Sequence, residues 1–381
     1  MELLFGIIVG LVILVILVAI HEFGHAFAAV KSGVVVDEFG IGFPPRAWSK
    51  KLKNGVLFTL NWLPLGGFVK LQGEYDSANK KGDYGAASFL QKTQILLAGV
   101  LVNWVVAALL LTVLAWVGLP KVLPNQFFVQ SDTAVETSAV EAAQVTSGSP
   151  AEKAGLKQGD KILSLAGIEI TSSEQLSEQT KAHAGKNVEI AYERNGSRQT
   201  ATVQLNAADN ADQGYLGVAP GQREFIRAGW SAPVTGVVTT AQFSWLTLVG
   251  IKDLAVNTTT GIVQRVSPNA EKREQAKEDL GKAANSVAGP IGILAVIFPA
   301  AAQAGLTNLI FLTAIISLTL AVMNILPIPA LDGGRWATMT VFRLLKKPLT
   351  KEREESIQGT GFLVLIVLII IITFTDIGKL F

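Results

Sequence analysis

Residues 3–25 read LLFGIIVGLVILVILVAIHEFGH, an apolar run that ends in the motif HEFGH at positions 21–25. The run is long enough to cross a lipid bilayer as a helix. On a helix, His21 and His25 share one face and can reach the same metal ion, while Glu22 lies about a quarter turn away, placed to take a proton from a water molecule on that ion. The stretch therefore predicts a zinc hydrolase whose active site lies inside a membrane.

The composition of the whole chain also indicates a membrane protein. Of its 381 residues, 50% are hydrophobic and only 16% are charged, and the mean hydropathy is positive. The net charge of +2 argues against a nucleic-acid partner. The chain has no cysteine, so any zinc must be held by His, Asp or Glu.

The first apolar run is predicted to be a retained helix rather than a signal peptide. Glu2 precedes it without any Lys or Arg, and no small-residue cleavage signal follows before His21. Other apolar stretches of spanning length follow along the chain. We therefore predict a polytopic α-helical membrane protein with four transmembrane helices, at residues 1–30, 93–118, 305–334 and 358–379.

One further stretch, 233–256, is ambiguous. It is apolar in places, but it is rich in Thr and is interrupted by Lys252 and Asp253. We expect it to pack on or dip into the outer leaflet, within a membrane-associated helical connector over 223–304.

Basic residues in the short loops predict the orientation of the chain. The segment 31–92 carries nine Lys or Arg, and the loop 335–357 carries six. Such loops remain on the cytoplasmic side of a membrane. We therefore expect the N-terminus outside and the zinc motif toward the cytoplasmic face of the bacterial inner (cell) membrane.

A soluble domain is predicted between the second and third helices. Residues 148–167, GSPAEKAGLKQGDKILSLAG, read as a turn, a short helix, a turn and a strand, and β-prone alternation continues at 188–192 and 201–205. The pattern resembles a PDZ domain over 125–222, which we expect to be extracytoplasmic. A PDZ groove binds an extended peptide segment or a peptide C-terminus by strand addition. Another small β domain with glycine turns is the alternative.

The segment 31–92 is predicted to be a cytoplasmic, membrane-associated β region. Its β-prone runs at 34–43, 56–62 and 68–71 are separated by Pro and Gly pairs. A sheet edge beside a protease site offers backbone hydrogen bonds to a substrate helix that must unwind before cleavage. A hairpin that merely covers the site fits the pattern equally well.

A zinc site of this kind needs a third protein ligand, with the fourth position left for water. Asp332 stands out because it directly follows the third span, between two prolines and two glycines. If the first and third helices run inward and the second runs outward, Asp332 reaches the leaflet of His21 and His25, provided that 233–256 does not cross. A helix-end carboxylate facing water is the alternative interpretation of Asp332.

Several motifs in this order resemble bacterial site-2 proteases of the RseP type over nearly the whole chain. Besides the HEFGH helix and the PDZ pattern they are LGGFVKLQG at 65–73, Gly99 with Asn103, GPIG at 289–292 and NILPIPALDGG at 324–334. The resemblance implies an intramembrane zinc metalloprotease with Zn²⁺ held by His21, His25 and Asp332 and with Glu22 as the catalytic base. The chain has one apparent PDZ domain where the best-known members have two.

The resemblance also implies roles for residues around the metal. Asn324 matches an asparagine associated with the active site, where it either bonds the substrate or caps a broken helix. The implied substrate-binding residues are Gly67, Phe68, Val69, Lys70 and Leu71. The implied substrates are single-pass transmembrane proteins in the lipid bilayer, such as anti-sigma factors or remnant signal peptides, cleaved in regulated intramembrane proteolysis.

Two other classes of protein share parts of this pattern. A catalytically inactive, membrane-anchored PDZ adaptor would retain all of the fold features, and a zinc transporter would use intramembrane histidines. The presence of all four chemically required residues disfavours the adaptor. The absence of a visible inverted repeat disfavours the transporter.

Overall fold

The computed structural model of the chain describes residues 2–207 and 214–380. These residues form two units, a membrane unit made of 2–116 and 232–380 and an inserted unit made of 117–231. Residues 208–213, which belong to the predicted PDZ domain, lie outside the described residues.

The helices and strands of the described residues are numbered in chain order. The helices are α1 Glu2–Lys31, α2 Phe89–Val117, α3 Pro150–Lys153, α4 Ser173–Ala182, α5 Ala232–Arg265, α6 Ala270–Ser286, α7 Pro290–Gly292, α8 Phe298–Gln303, α9 Leu306–Ile325, α10 Asp332–Leu344 and α11 Lys351–Leu380. A π-helical segment, Ile293–Ile297, joins α7 to α8. The strands are β1 Val36–Lys51, β2 Leu57–Leu71, β3 Leu119–Pro120, β4 Thr133–Thr137, β5 Val140–Val145, β6 Lys161–Leu165, β7 Ile168–Glu169, β8 Asn187–Arg194, β9 Ser197–Gln204, β10 Val218–Gly221 and β11 Glu224–Ala228.

Five helices in the described ranges are long and apolar enough to cross a membrane, one more than the four that we predicted. They are α1, α2, α5, α9 and α11. The additional helix, α5, lies within 223–304, the stretch predicted as a membrane-associated helical connector, which also contains strand β11. In the sequence, the apolar pattern of α5 is interrupted by Lys252, Asp253 and the threonines. The structure shows that these residues belong to one continuous helix of 34 residues. The predicted count of four is not confirmed.

The prediction of a loop over 335–357 is also wrong in part. Helix α10 begins at Asp332 and continues to Leu344, and α11 already begins at Lys351. Helix α10 is shorter than a membrane-spanning helix, so the sequence prediction did not identify it. The zinc-ligand candidate Asp332 consequently sits at the first position of a helix rather than in an open loop.

The N-terminal half of α5 packs inside the helix bundle. Trp104 Nε1 of α2 donates to Ser244 Oγ at 3.1 Å, and a Cβ at Gly236 would lie 2.2 Å from Thr112 Oγ1. These two contacts run in opposite sequence directions, so α5 and α2 are antiparallel. Phe243 also meets Phe311 of α9 edge to face, with ring centroids 6.1 Å apart.

The segment α7–α8 closes the bundle against α1. A Cβ at Gly6 would lie 2.4 Å from Pro299 Cα, and one at Gly10 would lie 2.5 Å from Phe298 Cγ, so the two helices touch through glycine. At the other end of the segment, the amides of Gly289 and Gly292 donate to the buried carboxylate of Asp376 on α11, at 3.1 and 2.7 Å. This carboxylate caps the free amides at the start of α7.

The predicted β region forms a small sheet from two long, bent strands. The register pairs Phe39 of β1 with Val69 of β2 on one side and with Phe58 of β2 on the other, while residues 46–51 pair with 57–61. The segments therefore lie in the order 46–51, 57–61, 36–41, 67–71, and 67–71 is an edge. The expected breaks at the Pro and Gly pairs are bends within β1 and β2.

The inserted unit extends past the limits of 125–222 that we predicted for a PDZ domain. Its larger sheet has the order β10-β5-β6-β8-β9 with β7 on β6, and a second sheet has the order β3-β11-β4. The core beneath the larger sheet and its helices is fully apolar, with Val140, Ile162, Leu165 and Ile190 wholly buried. The second sheet adds residues 119–120 and 224–228, because β3 and β11 pair with each other.

Buried Asp160 fixes the turn before β6 in this unit. Its carboxylate accepts hydrogen bonds from Arg194 Nε and Nη2 at 2.7 and 2.6 Å and from the Lys157 amide at 2.7 Å. Burial alone would raise the pKa of Asp160, but the hydrogen bonds from Arg194 and Lys157 hold this pKa below its ordinary value. Asp160 is therefore charged at neutral pH and ties its turn to β8.

Candidate metal centre

The three predicted metal ligands meet at one point of the membrane unit. His21 Nε2 and His25 Nε2 lie 3.1 and 3.2 Å from Asp332 Oδ2, and 3.2 Å from each other. The two rings are edge to face, with 4.8 Å between their centroids. Both histidines are buried, and Asp332 is partly exposed. The structure thus brings together residues separated by more than three hundred positions.

Each ligand is held by the element that carries it. His25 Nδ1 lies 2.8 Å from the Ile95 carbonyl of α2, which places the proton on Nδ1 and leaves Nε2 free as a ligand. Asp332 opens α10 at a tight turn, because a Cβ at Gly333 would lie 2.1 Å from the Ile325 carbonyl oxygen and one at Gly334 would lie 1.9 Å from that of Ile328. The glycine pair allows this loop to fold onto α10.

Gly99 of α2 provides the space around the histidines. A Cβ at this position would lie 2.5 Å from His25 Nε2 and 2.8 Å from His21 Nε2. Gly24 lies equally close to α2, since its Cβ would be 2.8 Å from the Ala98 carbonyl oxygen. In the sequence, Gly99 was identified only as part of a motif. The structure shows that Gly99 forms the floor of the site, where the absence of a side chain leaves room for the two histidine rings.

The donor set fits zinc. Two imidazole nitrogens and one carboxylate oxygen, all within 4.8 Å of one another, match three-ligand catalytic zinc sites, in which a fourth position stays open. His21 Nδ1 is buried without a hydrogen-bond partner. Three mostly buried ligand atoms this close to one another are compensated best by a cation between them.

Glu22 lies between the histidines and the edge strand. A Cβ at Gly67 would lie 3.1 Å from Glu22 Cγ, so the Glu22 side chain packs against the edge strand. Glu22 is partly buried, one position from His21 on the same helix. The predicted base and the predicted edge segment 67–71 are therefore in direct contact.

The predicted substrate-binding residues all belong to this edge segment, Gly67 to Leu71. Along one edge it pairs with residues 36–41 of β1, and the face on which a Gly67 Cβ would lie approaches α1 at Val18 and Glu22. The Phe68 ring covers Gly40, where a Cβ would lie 2.4 Å from the ring. A sheet edge therefore lies beside the metal ligands, an arrangement that both interpretations of this segment allow.

Asn324 lies one residue before the end of α9. Its Nδ2 donates to the Leu320 carbonyl at 2.9 Å, one turn back along α9, and the helix continues to Ile325. The side chain is partly buried near the end of the helix that leads to Asp332.

Sequence reasoning missed a set of charged side chains behind Asp332. Arg335 of α10 bonds Glu354 of α11 and the loop that follows β2. A polar cavity of about 420 Å³ lies here and reaches Asp332. Arg335, Glu354 and the loop after β2 are far apart in sequence. The local pattern of charges was therefore the only sequence signal of their contact.

The chain was compared with known proteins. Residues 9–368 match Peptidase family M50. A zinc metalloprotease RasP of Shouchella clausii is 27% identical, over 96% of this chain and 97% of the relative, and a putative zinc metalloprotease of Nostoc sp. is 31% identical, over 95% and 93%. A solved PDZ domain of the SdrC-like protein from Listeria monocytogenes is 25% identical over 22% of this chain and 86% of that domain, with a TM-score of 0.19.

The match over almost the whole length and the cluster of His21, His25 and Asp332 define a class of membrane-embedded metallopeptidase. The chain belongs to Peptidase family M50. It is a zinc metalloprotease of the site-2 type and a multi-pass membrane protein.

The Gly99 floor of the site makes a testable prediction. In Gly99→Ala the added Cβ overlaps both ligand nitrogens, so we expect zinc affinity to fall by roughly tenfold or more while the helix itself is favoured. Chelator competition on the purified full-length protein measures this. The control is Gly250→Ala in α5, where nothing lies within 4 Å of the new Cβ. Equal zinc affinity in Gly99→Ala and the wild type would contradict the geometry.

Proposed function

We propose that the protein hydrolyses peptide bonds within or near transmembrane segments of single-pass membrane proteins, in regulated intramembrane proteolysis. The observation that carries this proposal is the contact of Glu22 with the edge segment 67–71, directly beside His21, His25 and Asp332. Metal ligands, a carboxylate base and a free strand edge are the parts that peptide hydrolysis needs.

Zinc, when bound, supplies a Lewis acid that lowers the pKa of a water molecule and polarises the scissile carbonyl. Glu22 accepts a proton from that water and delivers it to the leaving amine. Packing against Gly67 keeps the Glu22 side chain beside the strand edge. His25 is held in the required tautomer by the Ile95 carbonyl.

The edge segment solves a problem specific to transmembrane substrates. A helix arrives with all its amides bonded internally, and exposing them in lipid costs several kcal/mol each. Residues 67–71 pair on one side only in the described sheet, so their outer edge offers backbone partners to a substrate segment as it unwinds. The substrate then lies extended beside Glu22.

Water reaches the site through the polar cavity at Asp332. Its lining includes Glu74, Glu354 and Gln358, so the cavity favours water over lipid. Asn324 is a candidate for holding the substrate. Its amide has a second N–H besides the one bonded to Leu320, and that N–H is available to a substrate carbonyl.

The contact between Asp332 and the histidines limits how the helices cross the membrane. His21 lies toward the C-terminal end of α1, and Asp332 follows the C-terminal end of α9, so we infer that α1 and α9 run in the same direction. If α5 crosses outright, another crossing must precede Leu306. Helix α6 is highly charged, and the apolar segment Pro290–Gln303 is too short to span. We therefore infer that the segment from α5 to α8 makes no net crossing.

This arrangement gives the orientation of the chain. The basic segment 31–92 and the loop 335–357 are cytoplasmic, with the metal centre toward that face, and the inserted unit is extracytoplasmic. The protein then acts in the bacterial cell membrane. A metal-free adaptor role is disfavoured because Glu22 and three ligands are assembled together.

The inserted unit is proposed to select substrates. A cavity of about 250 Å³ lies between α4 and the segment 214–220, and its lining includes Leu176, Thr180, Leu216 and Val218. A groove between a helix and a strand suits an extended peptide or a peptide C-terminus. In this proposal a substrate shortened on its outer side, such as an anti-sigma factor or a remnant signal peptide, is admitted to the metal centre.

The catalytic assignment is tested with Glu22→Gln. The variant should bind zinc normally and lose cleavage of a model transmembrane substrate by about 10²–10⁴-fold, because the general base is lost while the ligands remain. The measurements are zinc content and initial rate on purified protein. Glu2→Gln, at the start of the same helix, is the control and should cleave normally. Cleavage by Glu22→Gln at the wild-type rate would sink the mechanism.

The orientation is tested by cysteine labelling, which the cysteine-free chain makes simple. Ser197→Cys in the inserted unit should react with a membrane-impermeant maleimide on intact cells. Lys53→Cys in the turn between β1 and β2 should react only after permeabilisation. Both positions are exposed in the structure. The reverse labelling pattern would overturn the proposed orientation.

The groove is tested with Ser177→Trp, which fills the cavity from an exposed position of α4. We expect peptide affinity for the full-length protein to fall by about tenfold or more, because the indole occupies the ligand's space. Selectivity for pre-cut over intact substrate should fall with it. Glu178→Trp, exposed on the next position and outside the groove lining, is the matched control. Unchanged selectivity in Ser177→Trp would remove the selector role.

A further inference from the structure

Arg335 is a partly buried arginine one turn after Asp332 on α10. It donates through Nε to Glu354 Oε1 at 3.1 Å and through Nη2 to the backbone carbonyl of Glu74, and Nη1 lies 3.5 Å from Glu74 Oε1. Its guanidinium also lies over the buried Tyr84 ring, 4.9 Å from the centroid. One side chain thus contacts two other elements and a ring.

Its partner Glu354 is 3% exposed, although it is a carboxylate near the start of α11. Its other oxygen accepts from the Asp76 amide at 3.0 Å. Asp76 in turn pairs with buried Lys92 at the start of α2, at 2.5 Å. Burying such charges is costly unless each is paired, and here each one is.

This network links the two halves of the active site. Residues 74–76 follow the edge segment 67–71 after only two positions, while Arg335 shares the first turns of α10 with Asp332. The turn before Asp332 is held separately, by Gln358 Oε1 accepting from the Ala330 amide at 2.6 Å. Arg335 therefore ties the third metal ligand to the strand that is proposed to hold the substrate.

We propose that Arg335, through Glu354 and the Glu74 carbonyl, is a positioning residue that fixes the Asp332 carboxylate for zinc. Planar, bidentate arginine suits this task because one rigid fork reaches two partners at once. Groups behind a metal ligand typically contribute 10- to 100-fold to metal affinity. The inference rests on the metal centre proposed above and adds a residue that touches neither metal nor substrate.

The experiment compares zinc affinity, by chelator competition, in purified full-length Arg335→Met, Arg335→Lys and Glu354→Gln. We expect Arg335→Met to lose about 10- to 100-fold. Arg335→Lys should lie between Arg335→Met and the wild type, since an ammonium replaces the fork by a point charge. Arg343→Met is the control, because Arg343 lies further along α10 and stacks on Phe89 instead.

Thermal unfolding of each variant separates positioning from folding. If Arg335→Met does not fold, the zinc affinity of Glu354→Gln tests the proposal instead. Glutamine keeps the shape of the glutamate side chain and one acceptor oxygen. Folded variants with wild-type zinc affinity, or a lower melting temperature alone, would overturn the positioning role. A wild type that binds no zinc would instead refute the metal centre itself, so the two failures are distinct.

Discussion

The contact of one carboxylate with two histidines, more than three hundred residues apart, governs the membrane unit. It requires α1 and α9 to run in the same direction and their inner ends to lie at one depth. Gly24 and Gly99 allow α1 and α2 to approach closely enough for the rings to fit, and Gly333 and Gly334 fold the loop that delivers Asp332. Small residues at helix contacts serve this purpose in membranes, where hydrophobicity alone does not draw helices together.

The chemistry of the site could be predicted from sequence because its signals are local. His21, Glu22 and His25 follow from helical spacing, and Asp332 was found because carboxylates beside apolar spans are rare. Gly99 and Arg335 could not be assigned in this way. The role of Gly99 follows from the atoms that a Cβ at this position would contact, and the role of Arg335 follows from its partners on other elements. Neither set of contacts can be read from the sequence.

The errors in the fold have a related cause. The length and composition of α5 qualify it as a span, yet its threonines and two charges hid it in sequence, and α10 was too short to register as a helix. The hydrophobic periodicity of a segment indicates which of its faces is buried. It does not indicate how several segments pack together in a bundle. The parity argument for Asp332 depends on net crossings, so it holds only together with the proposal that the segment from α5 to α8 makes no net crossing.

The pairing of β3 with β11 sets the two ends of the inserted unit side by side, with Leu119 opposite Ile226. The strands by which the chain enters and leaves this unit are therefore hydrogen-bonded neighbours. Because of this pairing, the chain leaves the unit close to where it entered, whatever the length of the sequence in between. An inserted unit of this kind can therefore be gained, lost or exchanged, in evolution and in engineering, without repacking the helices that hold the metal ligands.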